Sequence, residues 1–414
     1  VTATDVRRAI DAVWRLESAR ITAGLARLVR DVGLAEELAQ DALVQALEQW
    51  PESGVPDNPG AWLMAVAKRR GIDRIRREQR YEAKLAEIGH RLETVEENAF
   101  DAVLDEGAIE DDVLRLVFTA CHPVLSTPAR VALTLRMLGG LATDEIARAF
   151  LVPEATVAQR IVRAKRTLAE ADVPFETPVG ADRAARLASV LEVVYLIFNE
   201  GYAATAGDAL VRADLCLEAL RLGRMLAGLA PGEPEVHGLV ALMEIQASRT
   251  RARTGADGRP VPLAEQNRGL WDRLLIRRGF AALLRAQRIG APPGPYVLQA
   301  AIAASHAQAA SFAETDWRQI AGLYELLVRQ TPTPVVELNR AVAVAMAEGP
   351  ARGLEIVDAL GPQLKDYHLL PSVRGDLLAR LGRSAEARAE FERAAELTRN
   401  AAERQVLLDR AAAQ

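Results

Sequence analysis

Along most of the chain, hydrophobic residues recur at steps of three and four, the period of an amphipathic helix, and extended Val/Ile/Thr runs are few. Residues 4–30 carry Ile10, Val13, Leu16, Ile21, Leu25 and Leu28 on one stripe and predict a helix. Residues 34–49 predict a second, with Leu38, Ala42 and Leu47 inward and Glu37, Gln40, Asp41, Val44 and Gln45 on the other face. Three Pro and two Gly in residues 51–60 then resist any helix and predict a constrained loop, which places Asn58 beside Trp62. A third helix is expected over 61–80. Its first half is apolar nearly all round and expected to be buried, and its second half is charged in nearly every direction.

Residues 140–168 read as a helix-turn-helix. Thr143 is expected to cap a short helix that buries Ile146, Ala147 and Phe150, and Leu151-Val152 make the turn. Pro153 opens the next helix, where its missing N–H costs nothing. Val157, Ile161, Ala164 and Leu168 form the inward stripe of that helix, and Thr156, Gln159, Arg160, Arg163 and Arg166 the outward one. Hydroxyl, amide and guanidinium groups along one face suit a DNA major groove, although an ordinary solvated Arg face has the same period. The expected fold class is all-α. Small helical domains are expected over 1–82 and 111–172, an acidic linker over 83–110, and a helical extension over 173–414 with a flexible loop at 249–262.

Composition agrees. Of 414 residues half are hydrophobic and only 5% aromatic, with Ala and Leu dominant. No window has the length of uncharged apolar sequence that a membrane span needs, and no signal peptide is recognisable, so a cytoplasmic location is expected. The two cysteines, Cys121 and Cys216, lie far apart, which excludes a disulfide scaffold and a Cys-rich zinc site. Charge is unevenly placed. Residues 68–84 hold eight Lys/Arg against three Asp/Glu, and residues 85–112 hold ten Asp/Glu against one Arg. Two basic helices separated by an acidic strap point to a nucleic-acid partner more than the net charge of -5 does.

No Gly-rich phosphate loop and no nucleophile–base arrangement appears, so neither an enzyme nor a bound cofactor or metal is expected. Cys121-His122 lacks a second ligand pair. His237, His306 and His368 are isolated and read as packing or surface residues, and Trp271 and Trp317 as core. Residues 371–400, with Gly375, Leu378, Gly382, Ala387, Phe391 and Ala394 at small and apolar positions, fit a tetratricopeptide-type helix pair, with a weaker copy around Val342, Ala345 and Gly349.

The segments Ala35-Glu36-Glu37-Leu38-Ala39-Gln40-Asp41-Ala42-Leu43, Ala61-Trp62-Leu63 and Ala67-Lys68-Arg69, followed by Asp73 and Arg76-Arg77, resemble region 2 of RNA polymerase sigma factors of the extracytoplasmic-function group. Residues 140–147, followed by Val152-Pro153-Glu154-Ala155-Thr156-Val157, Arg160 and Arg163-Ala164-Lys165, resemble their region 4. Residues 194–202, Asp214-Leu215-Cys216 and Gly294-Pro295-Tyr296 are similar to the subgroup with a long tetratricopeptide-like extension. The resemblance implies a promoter-recognition subunit that partners the polymerase core, at the β′ clamp helices and β flap, and promoter DNA. In those terms Glu37, Gln40, Asp41 and Gln45 would dock on the clamp helices, and the 51–60 loop with Asn58 would capture a flipped base. Trp62, Arg69, Arg70, Asp73, Arg76 and Arg77 would melt and read the -10 element, and Thr156, Gln159, Arg160 and Arg163 the -35 element. Arg69 stands where the family usually has Asn, and Ala155 where Gly is frequent. The acidic strap would thread the polymerase cleft. The extension would dock on the sigma domains and restrain them in cis, or recruit an outside partner. A one-component regulator with a ligand- or peptide-binding repeat domain is the alternative class.

Overall fold

The computed structural model describes residues 3–86, 106–203, 212–255, 259–398 and 400–414; the backbone alone is described at 3–4, 78–86 and 106–108. Among these residues the chain forms eighteen α-helices and no strand, with one isolated bridge between Thr254 and Pro260. They divide into two compact units, residues 1–194 and 195–414.

The first unit contains α1 (Ala3–Val29), α2 (Val32–Ser53), α3 (Pro59–Ala86), α4 (Glu106–Ala120), α5 (Thr127–Met137), α6 (Thr143–Phe150), α7 (Glu154–Glu170) and most of α8 (Gly180–Tyr202). Asp31 starts α2 by accepting the Leu34 amide at 2.9 Å, a side-chain cap on an otherwise unpaired N–H. Ala35, Ala39, Ala42 and Ala46 on α2 are fully buried, and these small side chains admit the bulk of Ile10, Trp14, Ile21 and Leu25 from α1. The α1 stripe differs from the expected one. Leu16 is 68% exposed, and the inward line runs through Trp14, Ser18 and Thr22 instead. Leu47 on α2 is likewise 42% exposed, because Ala46 and Trp50 take the inward positions.

The loop expected over 51–60 is shorter than the Pro/Gly count implied. Helix α2 runs through Pro51 to Ser53, and Gly54 closes it by donating to the Trp50 carbonyl. Trp50 is 1% exposed, so its burial holds the last turn despite the backbone hydrogen bond that Pro51 forgoes. In α3 the apolar half is one-sided: Leu63, Met64 and Ala67 are buried, while Ala61 and Ala65 are exposed. Residues 87–105, most of the acidic strap, lie outside the described residues.

The second unit continues from the end of α8 through α9 (Ala213–Leu229), α10 (Pro234–Ala247), α11 (Arg273–Arg288), α12 (Pro295–Gln308), α13 (Trp317–Gln330), α14 (Pro334–Glu348), α15 (Pro350–Ala359), α16 (Leu369–Arg380), α17 (Ser384–Leu397) and α18 (Ala401–Ala412). Two of the sequence motifs have a packing role here. A Cβ on Gly201 would sit 2.6 Å from the Cys216 amide nitrogen, so this glycine lets α8 and α9 touch. A Cβ on Gly294 would collide with Glu235, whose carboxylate accepts from the Tyr296 and Val297 amides and caps α12. The expected helix pair over 371–400 is α16 and α17, with Leu378, Ala387, Phe391 and Ala394 wholly buried between them and their neighbours. The stretch expected to be a flexible loop instead contains a 3-10 turn (Thr250–Ala252) and the Thr254–Pro260 bridge, and residues 256–258 lie outside the description.

Candidate nucleic-acid interface

The turn from α2 to α3 is built around Asn58. Its Oδ1 accepts the Ala61 amide at 3.1 Å and its carbonyl accepts that of Trp62, so the side chain expected to meet a base already caps α3. Trp62 stands half-buried, edge-on to Trp50 with ring centroids 5.3 Å apart. Along the next turns Arg69, Arg70, Asp73, Arg76 and Arg77 are all exposed. Arg70 reaches back to Asp41 on α2 at 2.8 Å, pairing a residue expected at DNA with one expected at polymerase. Glu37 and Asp41 are exposed on α2, and Gln40 and Gln45 are half-buried.

The helix-turn-helix is α6 and α7. Thr143 does not cap α6. The N-cap is Ala142, which has no side-chain acceptor, and Glu145 Oε2 takes the Ala142 amide at 2.8 Å instead. Phe150 is only half-buried. Leu151 makes the turn in the left-handed region (φ 50°), costly for a branched residue and tolerated where the chain must reverse within two residues. Val157, Ile161, Ala164 and Leu168 are buried as their period requires. On the opposite side Thr156, Gln159, Arg160 and Arg163 line a groove of about 510 Å³ shared with Ser126 and Pro128, at the start of α5. That partner was missed in the sequence. Ser126-Thr127-Pro128 is a helix-start pattern, and a helix N-terminus beside two guanidinium groups is a favourable place for phosphate.

A second feature, also unforeseen, ties the two helical groups together. Glu36 is 5% exposed and accepts from Arg136 Nε at 2.8 Å and from Lys165 Nζ at 2.5 Å, so α2 is clasped to α5 and to α7. Asp112, fully buried, meets Arg27 of α1 at 3.1 Å and Arg115 at 2.5 Å. Burial pushes the Asp112 carboxyl pKa up and the two arginines oppose that rise. Arg15 and Glu145 add an exposed pair at 2.9 Å. Neither Glu36 nor Lys165 stood out by pattern, since both fall among ordinary charged positions of amphipathic helices.

Elsewhere the chemistry is sparse. Both cysteines are free and buried, with burial pushing the Cys121 thiol pKa up to about 11 and that of Cys216 to about 12. No group of three or more His, Cys, Asp or Glu residues suited to a metal occurs among the described residues, and none of their helices is long and apolar enough to cross a membrane.

A three-helix group ending in an arginine-rich helix, joined to a helix-turn-helix, has the parts of a sigma-type promoter-recognition subunit. Residues 15–81 match Sigma-70 region 2, residues 115–168 match Sigma-70, region 4, and residues 186–287 match a family of unknown function, DUF6596. An uncharacterized protein of Rhizobium meliloti is 48% identical over 380 residues, covering 92% of this chain and 89% of its own. The ECF RNA polymerase sigma factor SigK of Mycobacterium ulcerans is 30% identical over 153 residues, 36% of this chain and 78% of that protein. SigK of Mycobacterium tuberculosis is 31% identical over 146 residues, 34% of this chain and 74% of that protein. The chain belongs to the ECF RNA polymerase sigma factors and carries a helical C-terminal extension. No solved structure matches it.

Proposed function

We propose that this sigma factor reads its promoters with two separate faces of the first unit. Trp62, Arg69, Arg70, Asp73, Arg76 and Arg77, with the loop at Asn58, engage the -10 element. Thr156, Gln159, Arg160 and Arg163 engage the -35 element, with the start of α5 on a neighbouring phosphate. Glu37, Gln40, Asp41 and Gln45 dock on the β′ clamp helices, region 4 meets the β flap, and the protein works where core polymerase does, in the cytoplasm. The observation that carries this reading is the groove on α7, which gathers a hydroxyl, an amide and two guanidinium groups on one accessible side.

The two elements are centred roughly 25 base pairs apart, about 85 Å of B-DNA at 3.4 Å per pair. Helix α7 spans only about 25 Å, and it is clasped to α2 through Glu36. In this reading polymerase binding opens the clasp and draws the two groups apart to span both elements. The extension restrains the first unit in cis. The test is transcription in vitro from a cognate promoter with core polymerase. Initiation that depends on the added chain, and rises when residues beyond 175 are removed, supports the reading. Binding of DNA without any rescue of core would sink it, and loss of activity on truncation would make the extension a scaffold.

A further inference from the structure

Inside the second unit the end of α8 meets α10, α12, α13 and α14 around a cavity of about 230 Å³, just under the usual range of small-molecule pockets and too small for a peptide. Its wall is unusual for a packing defect. Tyr195 and Asn199 of α8, Gln299 and His306 of α12, Tyr324 of α13 and Asn339 of α14 all line it, and among the described residues the sole charged one on it is Arg249. No carboxylate of the described residues lines it. The Arg249 guanidinium donates to Tyr202 Oη and to Gln246 Oε1, both neutral, and Trp271 lies beneath it. Its Nη1 has no partner among the described residues. A half-buried cation held only by neutral groups is incompletely compensated, and an anion is what it lacks.

The remaining polar groups are unspent in the same way. The hydroxyls of Tyr195 and Tyr324 have no partner among the described residues, and burial raises both phenol pKa values, that of Tyr324 to about 12, so both stay protonated and able to donate. His306 packs edge-on to Trp317 at 5.1 Å, and its Nδ1 is buried without a partner. Burial, then Arg249 and Arg268, hold the His306 pKa down to about 4, so the ring is neutral at physiological pH and takes either hydrogen-bonding role. Gln299 spends its Nε2 on Pro295 and keeps its carbonyl oxygen.

We propose that this cavity binds a small hydroxylated organic anion, its acidic group on Arg249 and its hydroxyls on the tyrosine, amide and imidazole groups. This site is independent of the promoter reading, because binding needs neither DNA nor polymerase. The probe is D-gluconate, titrated calorimetrically into the full chain at constant ionic strength, with sorbitol as the neutral analogue and inorganic phosphate as the bare anion. Saturable gluconate binding, at least tenfold tighter than that of phosphate or sorbitol, is expected. Arg249→Gln should remove it. Tyr324→Phe, which deletes one hydroxyl and keeps the ring, should weaken it about fivefold with the fold intact by circular dichroism. Absence of gluconate binding overturns the proposal, and so does binding that both variants leave unchanged. Phosphate binding as tightly as gluconate would also overturn it, reducing the site to an anion contact.

Discussion

Replacing Glu36 with Gln keeps the shape of the clasp and deletes its charge, leaving Arg136 and Lys165 facing a neutral amide. Breaking a buried ion pair by neutralising one partner costs about 3–5 kcal/mol. Here the side chains of Arg136 and Lys165 are 19% and 18% exposed and can turn partly to water, so the low end applies, about 3 kcal/mol. At 1.4 kcal/mol per decade this multiplies the equilibrium constant for separating α2 from α7 by roughly 150-fold. Energy transfer between dyes at exposed Glu48 and Glu170, on α2 and α7, reads that equilibrium in the intact chain. Glu36→Gln should shift the population toward the low-transfer, separated state. Arg15→Ala, which breaks an exposed pair, should shift it by less than about 1 kcal/mol, roughly fivefold. Identical transfer distributions for wild type and Glu36→Gln, or an equal response to Arg15→Ala, would refute the clasp.

Three further outcomes follow from named contacts. Arg160→Ala should cost about 1–3 kcal/mol on the preferred -35 sequence and less on altered ones, measured by anisotropy on promoter duplexes; an equal loss on every sequence would leave only a phosphate role. Unfolded His306 takes its proton near pH 6.5 but the folded ring resists to about pH 4, so its contribution to stability is complete above 6.5 and lost as pH falls toward 4. That is about 2 kcal/mol between pH 7.5 and 5, and the urea-denaturation difference between these pH values should shrink by that amount in His306→Gln. Gly201→Ala must push a Cβ against the Cys216 backbone nitrogen and should destabilise the second unit by about 1–3 kcal/mol; an unchanged thermal transition would show that α8 shifts freely.

Much of this was legible because helical period and function coincide. On α7 the same three- and four-residue steps that bury Val157, Ile161, Ala164 and Leu168 turn Thr156, Gln159, Arg160 and Arg163 outward, so one pattern fixed both core and candidate site. It failed where local signals compete with tertiary burial. Pro51 argued for a loop, and a buried Trp50 carried the helix past it. Leu16 and Leu47 looked inward by helical period, but Trp14 and Trp50 take the buried positions. Pairings across elements were invisible: nothing in the neighbourhood of Glu36 names Arg136 or Lys165 as its partners. The cavity was missed for the same reason. Its wall comes from five helices and the segment between α10 and α11, and His306 and Arg249 read singly as a packing residue and part of a flexible loop.

The two thiols have a practical consequence. Each unit encloses one, and both are sealed from solvent and held as the unreactive protonated form. Alkylation of Cys121 is thus a clock for breathing of the promoter-reading half, and alkylation of Cys216 times the extension, from a single sample and without any added label.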